Sequence, residues 1–346
     1  MSKSITPVEQ SPLAPRAVPG KPVTLELEPI DTVDAGIYLA AQRTALDALL
    51  AEHGALLLRG LELRSVDDFA RVRDALIDRH ASYKEKATPR SDFGKDVYSS
   101  TDLPPSQDIR LHNEISYTLE FPRTLVFACL EAPEVGGATP VADVRRVLER
   151  IPAGIVEPFR RRGWLLTRNF DRRMGLAWEE AFATDEPAEV ERYCDANAIG
   201  YEWREDGRLR TTQRRSAIVT HPLTGDEVWF NHVAFWNQWT LDAEIREVLV
   251  DEYGEDNLPF DTSYGDGAPI PQDVVDTLNA AYDDATVREP WQVGDVLLVD
   301  NVLTAHGRDA FRGSRRIVVA MGEPTPLAAC RPTVEPTPVA VDGGTG

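Results

Sequence analysis

The order of the predicted strands and helices is the feature that most constrains how this chain can fold. Apolar runs of strand length occur at ALLLRG (55–60), RTLVFACLEAP (123–133), DVLLVDN (295–301) and RRIVVAM (315–321). Segments with helical spacing are inserted among them without a regular strand–helix–strand repeat. This order indicates an antiparallel β core wrapped by helices, and it argues against a Rossmann fold or a TIM barrel.

Helical periodicity and capping residues locate the predicted helices. The segment 36–54 ends on Gly54, a residue typical of helix C-termini, and 65–80 begins with Ser65 as N-cap and Asp68 three residues later. Further helices are predicted at 143–162, 186–198, 240–253 and 271–284. Further strands are predicted at 23–29, 164–170, 216–220 and 226–231.

The domain organisation is expected to be simple. Proline-rich segments without periodicity predict flexible tails at 1–21 and 329–346, so that 22–328 forms a single domain. The chain has no run of 18 apolar residues, and its first residues lack the apolar core of a signal peptide. A cytoplasmic protein without a membrane partner is therefore expected.

The charge balance and the cysteines exclude several classes of protein. Lys and Arg total 37 against 57 Asp and Glu, and a formal charge of -20 repels the phosphates of nucleic acids. The three cysteines are far apart and include no CxxC pair. Neither a disulfide scaffold nor a zinc ribbon is expected.

One histidine of the six has a carboxylate two residues further on, His112 with Glu114 in RLHNEISY (110–117). Extended backbone places residues i and i+2 on one side, so both side chains can approach one cation. A second, distant histidine would complete the facial triad of non-haem iron(II) oxygenases, which leaves positions open for oxygen and a cosubstrate. A His-x-Glu pair alone is a weak signal, because it arises often by chance.

His306 is the candidate for the second histidine, since it lies between two apolar strands and is followed by Arg315 and Arg316. A buried arginine is costly unless it meets an anion, and its guanidinium is well suited to a carboxylate. Alternation along the strand predicts that one of the two arginines faces water. The other then points inward, beside His306.

HNEISY, GGATPVAD and DNVLTAHGRDAFRGSRRIVVAM resemble the motifs of the TauD/TfdA-like iron(II)/2-oxoglutarate oxygenases. Within that family they are most similar to the clavaminate-synthase-like branch of amino-acid hydroxylases, and the resemblance covers roughly residues 22–325. It implies a double-stranded β-helix (jelly-roll) core with flanking helices. It also implies an enzyme that uses Fe(II), 2-oxoglutarate and O2.

The resemblance assigns roles to particular residues. It implies that His112, Glu114 and His306 bind the iron, and that Arg316 and Thr139 bind the distal carboxylate of 2-oxoglutarate. Arg315 takes the place of Arg316 if the register of the strand is shifted by one residue. Glu114, where many members have Asp, points to an amino-acid substrate and to hydroxylation rather than halogenation. The uncharged IVVAM after the arginines argues against a sulfonate substrate.

Substrate contacts are harder to predict than metal ligands. Asn113, Ser116, Tyr117, Asn231 and His232 could contact the substrate, or they could support the metal ligands and the core. The polar, turn-rich segment 87–108 is a candidate lid, with a passive surface loop as the alternative.

We therefore expect a small-molecule substrate, an amino acid or its derivative, either free or presented by a carrier protein. The product could arise by hydroxylation, desaturation or ring closure. Two other interpretations of the same residues remain open from the sequence alone: a zinc hydrolase and a non-catalytic binding protein on the same fold.

Overall fold

A six-stranded sheet with two buried faces forms the centre of the protein. The computed structural model describes residues 13–81, 85–88, 90–171, 175–204 and 207–339. Within them the central sheet has the strand order β1-β2-β15-β5-β18-β3. Its neighbouring pairs β2–β15, β15–β5, β5–β18 and β18–β3 are antiparallel, whereas β1 and β2 are parallel.

The strands have the following bounds: β1 Val23–Ile30, β2 Ala55–Leu61, β3 Tyr98–Ser99, β4 Ile109–His112, β5 Glu120–Glu131, β6 Val135–Gly136, β7 Val141–Asp143, β8 Trp164–Phe170, β9 Ile199–Trp203, β10 Leu209–Arg215, β11 Ile218–Thr220, β12 Glu227–Trp229, β13 Phe260–Tyr264, β14 Thr286–Val287, β15 Val296–Asp300, β16 Thr304–Arg308, β17 Phe311–Arg312 and β18 Arg316–Pro326. The helices are α1 Thr32–Ala41, α2 Arg43–His53, α3 Val66–Leu76, α4 Val144–Arg150, α5 Ala153–Arg162, α6 Trp178–Phe182, α7 Pro187–Ala196, α8 Ala243–Tyr253 and α9 Gln272–Ala285. Short 3-10 turns occupy Gln238–Thr240, Glu255–Asn257 and Leu327–Cys330.

Both faces of the central sheet are apolar because its strands are apolar at consecutive positions. On β15, Val296 and Leu298 belong to a cluster with buried residues of α1, α2 and α3. Leu297 and Val299, which point the other way, belong to the larger core cluster. That larger cluster also contains buried residues of β7 and β16, so it fills the space between the central sheet and a second sheet.

The second sheet has the order β14-β7-β16-β4 and pairs antiparallel throughout. A further sheet, β13-β8-β10-β9, extends the core cluster through Trp164 and Leu166 of β8. The predicted antiparallel β core with flanking helices is confirmed. No helix in the described part of the chain is long and apolar enough to cross a membrane.

Most predicted elements are present, but the predicted helices 36–54 and 143–162 are each two helices, the second being interrupted at Ile151 and Pro152 between α4 and α5. The predicted helix 36–54 is two helices, because Gln42 leaves helical geometry between α1 and α2, and α1 begins earlier, where the Asp31 carboxylate accepts from the amides of Val33 and Asp34. The predicted start at Ser65 is confirmed by a complete capping box with Asp68.

The C-terminal segment differs from the tail that was expected from residue 329. Cys330 and Val334 are buried. The Thr333 amide donates to Ser216 Oγ over 2.8 Å, and Thr212 Oγ1 donates to the Val339 carbonyl over 2.9 Å. Residues 329–339 are therefore held against the rest of the protein by the buried side chains of Cys330 and Val334 and by these two hydrogen bonds. Residues 340–346 of the expected tail, and 1–12 of the N-terminal one, lie outside the described residues.

Candidate metal centre

Two neighbouring strands of the second sheet bring the two histidines together. His306 on β16 is paired directly with His112 at the end of β4, and their ring centroids are 4.6 Å apart. Glu114 follows β4 in a turn, and its carboxylate Oε2 lies 3.5 Å from His306 Nε2. Ligand atoms of the three residues all lie within 4.8 Å of one another. The three predicted ligands thus converge on one point.

The backbone of Glu114 is fixed by an amide that the sequence analysis did not single out. Asn301 accepts from the Glu114 amide over 2.7 Å and donates to the Glu114 carbonyl over 2.9 Å. It also donates to the Pro122 carbonyl over 2.8 Å, and it is fully buried. Since all these bonds are internal, Asn301 holds the turn that presents the carboxylate. Its position directly after the buried strand β15 was the only signal for it in the sequence.

The electrostatics of His112 and Glu114 suit a divalent metal ion. Burial, followed by the charge of His306, lowers the pKa of His112 to about 4, so this imidazole is neutral near pH 7. Its Nδ1 lies 3.0 Å from the Arg110 carbonyl, which leaves Nε2 as an acceptor for a metal. Burial alone would raise the pKa of Glu114, but the charge of Arg90, together with the hydrogen bond from His306 and the charges of both histidines, holds that pKa well below its usual range.

Two imidazoles and one ionised carboxylate form a donor set that suits Fe(II) and leaves coordination positions open. All three ligand atoms come from buried or half-buried side chains. The residues present therefore fit the metal that the facial triad implies.

The two candidate arginines lie on opposite sides of their strand. Arg316 is exposed, and its guanidinium lies over the ring of Phe93, 5.2 Å from the centroid. Arg315 points inward and lines the cavity that contains His112 and His306. The prediction that Arg316 faces the site is therefore wrong, and the alternative of a one-residue register shift is the one found.

Arg315 and Thr139 form a polar end of this cavity. The Arg315 guanidinium donates to the Gly137 carbonyl over 2.9 Å, to Ser100 Oγ over 3.2 Å and to Thr139 Oγ1 over 3.4 Å. Burial, and then the nearby charge of Arg308, lowers the pKa of Arg315 to about 10. An anion bound here would relieve the unfavourable environment of this guanidinium.

Aromatic and aliphatic side chains close the cavity around the histidines. Phe127 lies 5.1 Å from the His306 ring, and Phe235 lies 4.5 Å from the His112 ring, centroid to centroid. Phe235 and Ile109 also line a neighbouring cavity that opens beside α9, so they separate the two spaces.

A profile of the taurine catabolism dioxygenase TauD, TfdA family matches residues 11–321. The chain belongs to the TauD/TfdA family. It is an iron(II)- and 2-oxoglutarate-dependent non-haem dioxygenase, as the resemblance of its motifs implied.

Relatives and solved structures agree with this assignment. The chain is 40% identical over 293 residues to the dapdiamide synthesis protein DdaC of Enterobacter agglomerans, covering 85% of this chain and 89% of the relative. It is 30% identical over 294 residues to a clavaminate synthase-like protein of Arabidopsis thaliana, covering 82% and 86% of the two chains. The fold is similar to that of PvcB from Pseudomonas aeruginosa, with a TM-score of 0.51, 15% identity and coverage of 93% and 94%.

All five candidate substrate residues are engaged in internal hydrogen bonds of this TauD/TfdA fold. Asn113 donates to the Asn301 carbonyl, Tyr117 Oη to the Glu85 carbonyl and Asn231 to the Ala217 carbonyl. Ser116 Oγ lies 2.7 Å from His232 Nδ1. These contacts support the alternative in which such residues brace the site and the core.

The imidazole of His232 packs between two other rings: its centroid lies 5.4 Å from that of His112 and 4.2 Å from that of Trp236. Burial, then the charge of His112, lowers its pKa well below the usual value. It is therefore a neutral, buried neighbour of the metal centre, and it does not line the cavity in front of the histidines.

The candidate lid 87–108 is described except for residue 89, and its second half is held in place by an arginine. Arg308 donates to the carbonyls of Leu103, Pro104 and Gln107 over 2.9, 2.6 and 2.6 Å. Its first half carries Arg90, which donates to Glu114 Oε2 over 2.7 Å. The segment therefore covers the metal centre, while its closure on a substrate stays a prediction.

Proposed function

We propose that the protein hydroxylates an unactivated C–H bond of an amino acid or amino-acid derivative and releases succinate and CO2. The observation that carries the proposal is the buried group of His112, Glu114 and His306 facing a cavity whose other end holds Arg315 and Thr139. The amino-acid substrate is supported by Glu114 and by the relative that is named for dapdiamide synthesis. The uncharged Val318 and Ala320, which follow the arginines, give no support to a sulfonate.

In this proposal His112, Glu114 and His306 are the metal ligands. The His112 ring is oriented through its Nδ1 by the Arg110 carbonyl, and Arg90 and the two histidines together lower the pKa of Glu114, so that it is ionised. Bound iron(II), with 2-oxoglutarate and O2, supplies the oxidation of the substrate. The protein has to hold the reactants in position and exclude water. Phe127, Phe235 and residues of the segment 87–108 line the cavity and can shield it from solvent.

Arg315 and Thr139 are proposed to bind the distal carboxylate of 2-oxoglutarate. The guanidinium already points into the cavity, and Thr139 Oγ1 lies within its reach. Trp291 Nε1 donates to Thr139 Oγ1 over 3.2 Å, which orients that hydroxyl group. A guanidinium group and a neighbouring hydroxyl group can together donate hydrogen bonds to both oxygens of a carboxylate.

The substrate class can be tested on the iron-loaded protein with 2-oxoglutarate under air. A panel of amino acids and their N-acyl and amide derivatives, offered free and attached to a carrier protein, would be screened for stimulated succinate formation. The expected product gains one oxygen atom by mass, whereas a loss of two hydrogens would indicate desaturation or ring closure. If succinate formation responds to none of these compounds, an amino-acid substrate is excluded.

A further inference from the structure

A cavity beside α9 takes no part in the binding of the metal or in the proposed binding of 2-oxoglutarate. It has a volume of about 150 Å³, and its walls include residues of β4 and α9. It adjoins the cavity in front of the metal ligands, because Ile109, Phe235 and Arg308 line both. The Phe235 ring lies 4.5 Å from the His112 ring, centroid to centroid, so a side chain in contact with a metal ligand forms part of the shared wall.

The cavity in front of the metal ligands is small for what the proposed reaction has to place there. Its volume is about 40 Å³. A water molecule needs roughly 10–15 Å³ of such space, and 2-oxoglutarate is much larger than a few water molecules. Once the cosubstrate is bound, a substrate of the size of an amino-acid derivative has to extend beyond this cavity. The space beside α9 is larger and shares three wall residues with it.

Two polar groups of α9 at this cavity are left for a ligand. Tyr282 is 5% exposed and lines the cavity, and its hydroxyl group forms no hydrogen bond within the described part of the chain. Buried tyrosine hydroxyl groups ordinarily have a hydrogen-bond partner. Asn279 lies three residues earlier, on the same face of the helix. Its Oδ1 also lines this space and accepts no hydrogen bond from a described residue.

Hydrogen bonds fix these two groups relative to the wall between the cavities. Asn279 Nδ2 donates to Thr240 Oγ1 over 2.9 Å, and Thr240 Oγ1 donates to the Ala234 carbonyl over 2.6 Å. Ala234 directly precedes Phe235. The helix α9 is therefore joined by two consecutive hydrogen bonds to the residue next to the shared wall.

The charged side chains that line the cavity beside α9 already have partners. They form two ion pairs, one set of bonds to backbone carbonyls and one bond from a backbone amide: Arg110 with Asp283 at 3.4 Å, Arg288 with Asp309 at 3.3 Å, Arg308 with Leu103, Pro104 and Gln107, and Asp108 with Ala310. A neutral polar group therefore suits this cavity better than a charged one. An amide fits best, because its carbonyl can accept from Tyr282 and its N–H can donate to Asn279 Oδ1.

We propose that the cavity beside α9 is a second part of the substrate site, in which Tyr282 and Asn279 bind an amide group of the substrate while the C–H bond to be oxidised lies at the metal. This inference rests on the proposed function, and it narrows the substrate class to amino-acid derivatives that carry a neutral amide. Tyr282 and Asn279 are then specificity-determining residues, because a ligand without the amide leaves their polar groups without partners.

The test compares three forms of the same amino acid on the anaerobic Fe(II) protein saturated with 2-oxoglutarate. Each standard amino acid is offered as its carboxamide, its methyl ester and its free acid, and dissociation constants are taken from the perturbation of the visible absorption band. The carboxamide is expected to bind about 2- to 12-fold more tightly than the ester, because the ester cannot donate to Asn279 Oδ1. The free acid is expected to bind more weakly than the carboxamide.

The two residues should affect binding in different ways. Tyr282→Phe should weaken the carboxamide and the ester by the same factor, about 2- to 12-fold, because both carbonyls lose one donor. Asn279→Ala should bring the carboxamide and the ester to equal affinity. Tyr38→Phe is the matched control, since Tyr38 packs in the cluster on the other face of the central sheet, and it should keep the wild-type affinities. Thermal unfolding and formation of the band with iron and 2-oxoglutarate establish that each variant is folded and loaded.

Several outcomes would overturn the inference. It fails if the wild type binds carboxamide and ester equally, if the free acid binds best, or if Tyr282→Phe and Asn279→Ala leave the affinities unchanged. If no amino-acid derivative perturbs the band, the proposed substrate class is wrong, and acetamide then serves as the probe in saturation-transfer NMR. An acetamide signal that disappears when Tyr282→Phe and Asn279→Ala are combined supports the amide site. No signal, or one that the combined variant retains, refutes it.

Discussion

Replacing Arg315 by leucine is expected to weaken 2-oxoglutarate binding strongly, while the same change at Arg316 should have little effect. Arg315 is half-buried and donates to Thr139 Oγ1, whereas Arg316 is exposed on the other side of the strand. The lowered pKa of Arg315, about 10 instead of 12.5, corresponds to about 3 kcal/mol of unfavourable environment for its charge. A bound carboxylate recovers part of this and adds charge-assisted hydrogen bonds worth about 1.5–3 kcal/mol.

These values predict that the dissociation constant of 2-oxoglutarate rises roughly 10- to 150-fold in Arg315→Leu. The assay is an anaerobic titration of the Fe(II) protein with 2-oxoglutarate, followed by a weak charge-transfer band at roughly 500 nm. Thr139→Val should have a smaller effect, about 2- to 12-fold, because one neutral hydrogen bond is lost. If Arg316→Leu strongly weakened 2-oxoglutarate binding and Arg315→Leu left it unchanged, the assignment of Arg315 would be refuted. The register of the strand would then differ by one residue from the one described.

Three further predictions concern the support of the site and the stability of the fold. Asn301→Asp removes the two buried N–H groups that donate to the carbonyls of Glu114 and Pro122. Metal affinity, measured by metal titration, is therefore expected to fall about 10- to 100-fold. An unchanged affinity would show that the turn carrying Glu114 keeps its conformation without the Asn301 amide. Ser65→Ala removes the N-cap of α3 and should lower the free energy of unfolding, measured in urea titrations, by about 1 kcal/mol. Ser106→Ala, a change at an exposed serine, should leave the free energy of unfolding unchanged. Equal free energies of unfolding in the two variants would exclude a stabilising role of the capping box. Burial raises the pKa of each of the three thiols to about 12. A thiol reagent at pH 8 should therefore modify none of them in the native protein and all three in urea. Rapid labelling of the native protein would contradict the burial of these side chains. These thiols are Cys129, Cys194 and Cys330.

The fold could be predicted well where the sequence carries a strong local pattern. The strands around 295–301 and 315–321 are short, continuous apolar runs, and the helix after Ser65 has both capping residues. The break at Gln42 and the packing of residues 329–339 were not predicted. Both depend on which surfaces of the core remain to be covered, and this is a property of the assembled protein rather than of the local sequence.

The three candidate metal ligands were predictable from the sequence, whereas the choice between Arg315 and Arg316 was not, for a physical reason. The spacing of His112 and Glu114 is a local feature of extended backbone. By contrast, β18 is buried on both faces, with Ile317 and Val319 in one core cluster and Val318 in the other. Apolar periodicity therefore did not indicate which side of that strand faces the metal.

Arg90 and Asn301 were missed because their roles come from long-range contacts. Arg90 lies 24 residues before Glu114 in a polar segment, and Asn301 lies 187 residues after it. Neither residue differs in its local sequence from an ordinary loop residue. Only the folded chain brings Arg90 to the carboxylate of Glu114 and Asn301 to the backbone of the same residue.

Succinate formation from 2-oxoglutarate by the iron-loaded protein under air is the most direct test of the central claim. The wild-type protein should form succinate slowly even without a substrate, and His306→Ala should form none, while the half-exposed His53→Ala should behave as the wild type. Metal content is measured in each sample. Succinate at the wild-type rate in His306→Ala, or none from a wild-type protein with iron bound, would contradict the assignment of this site.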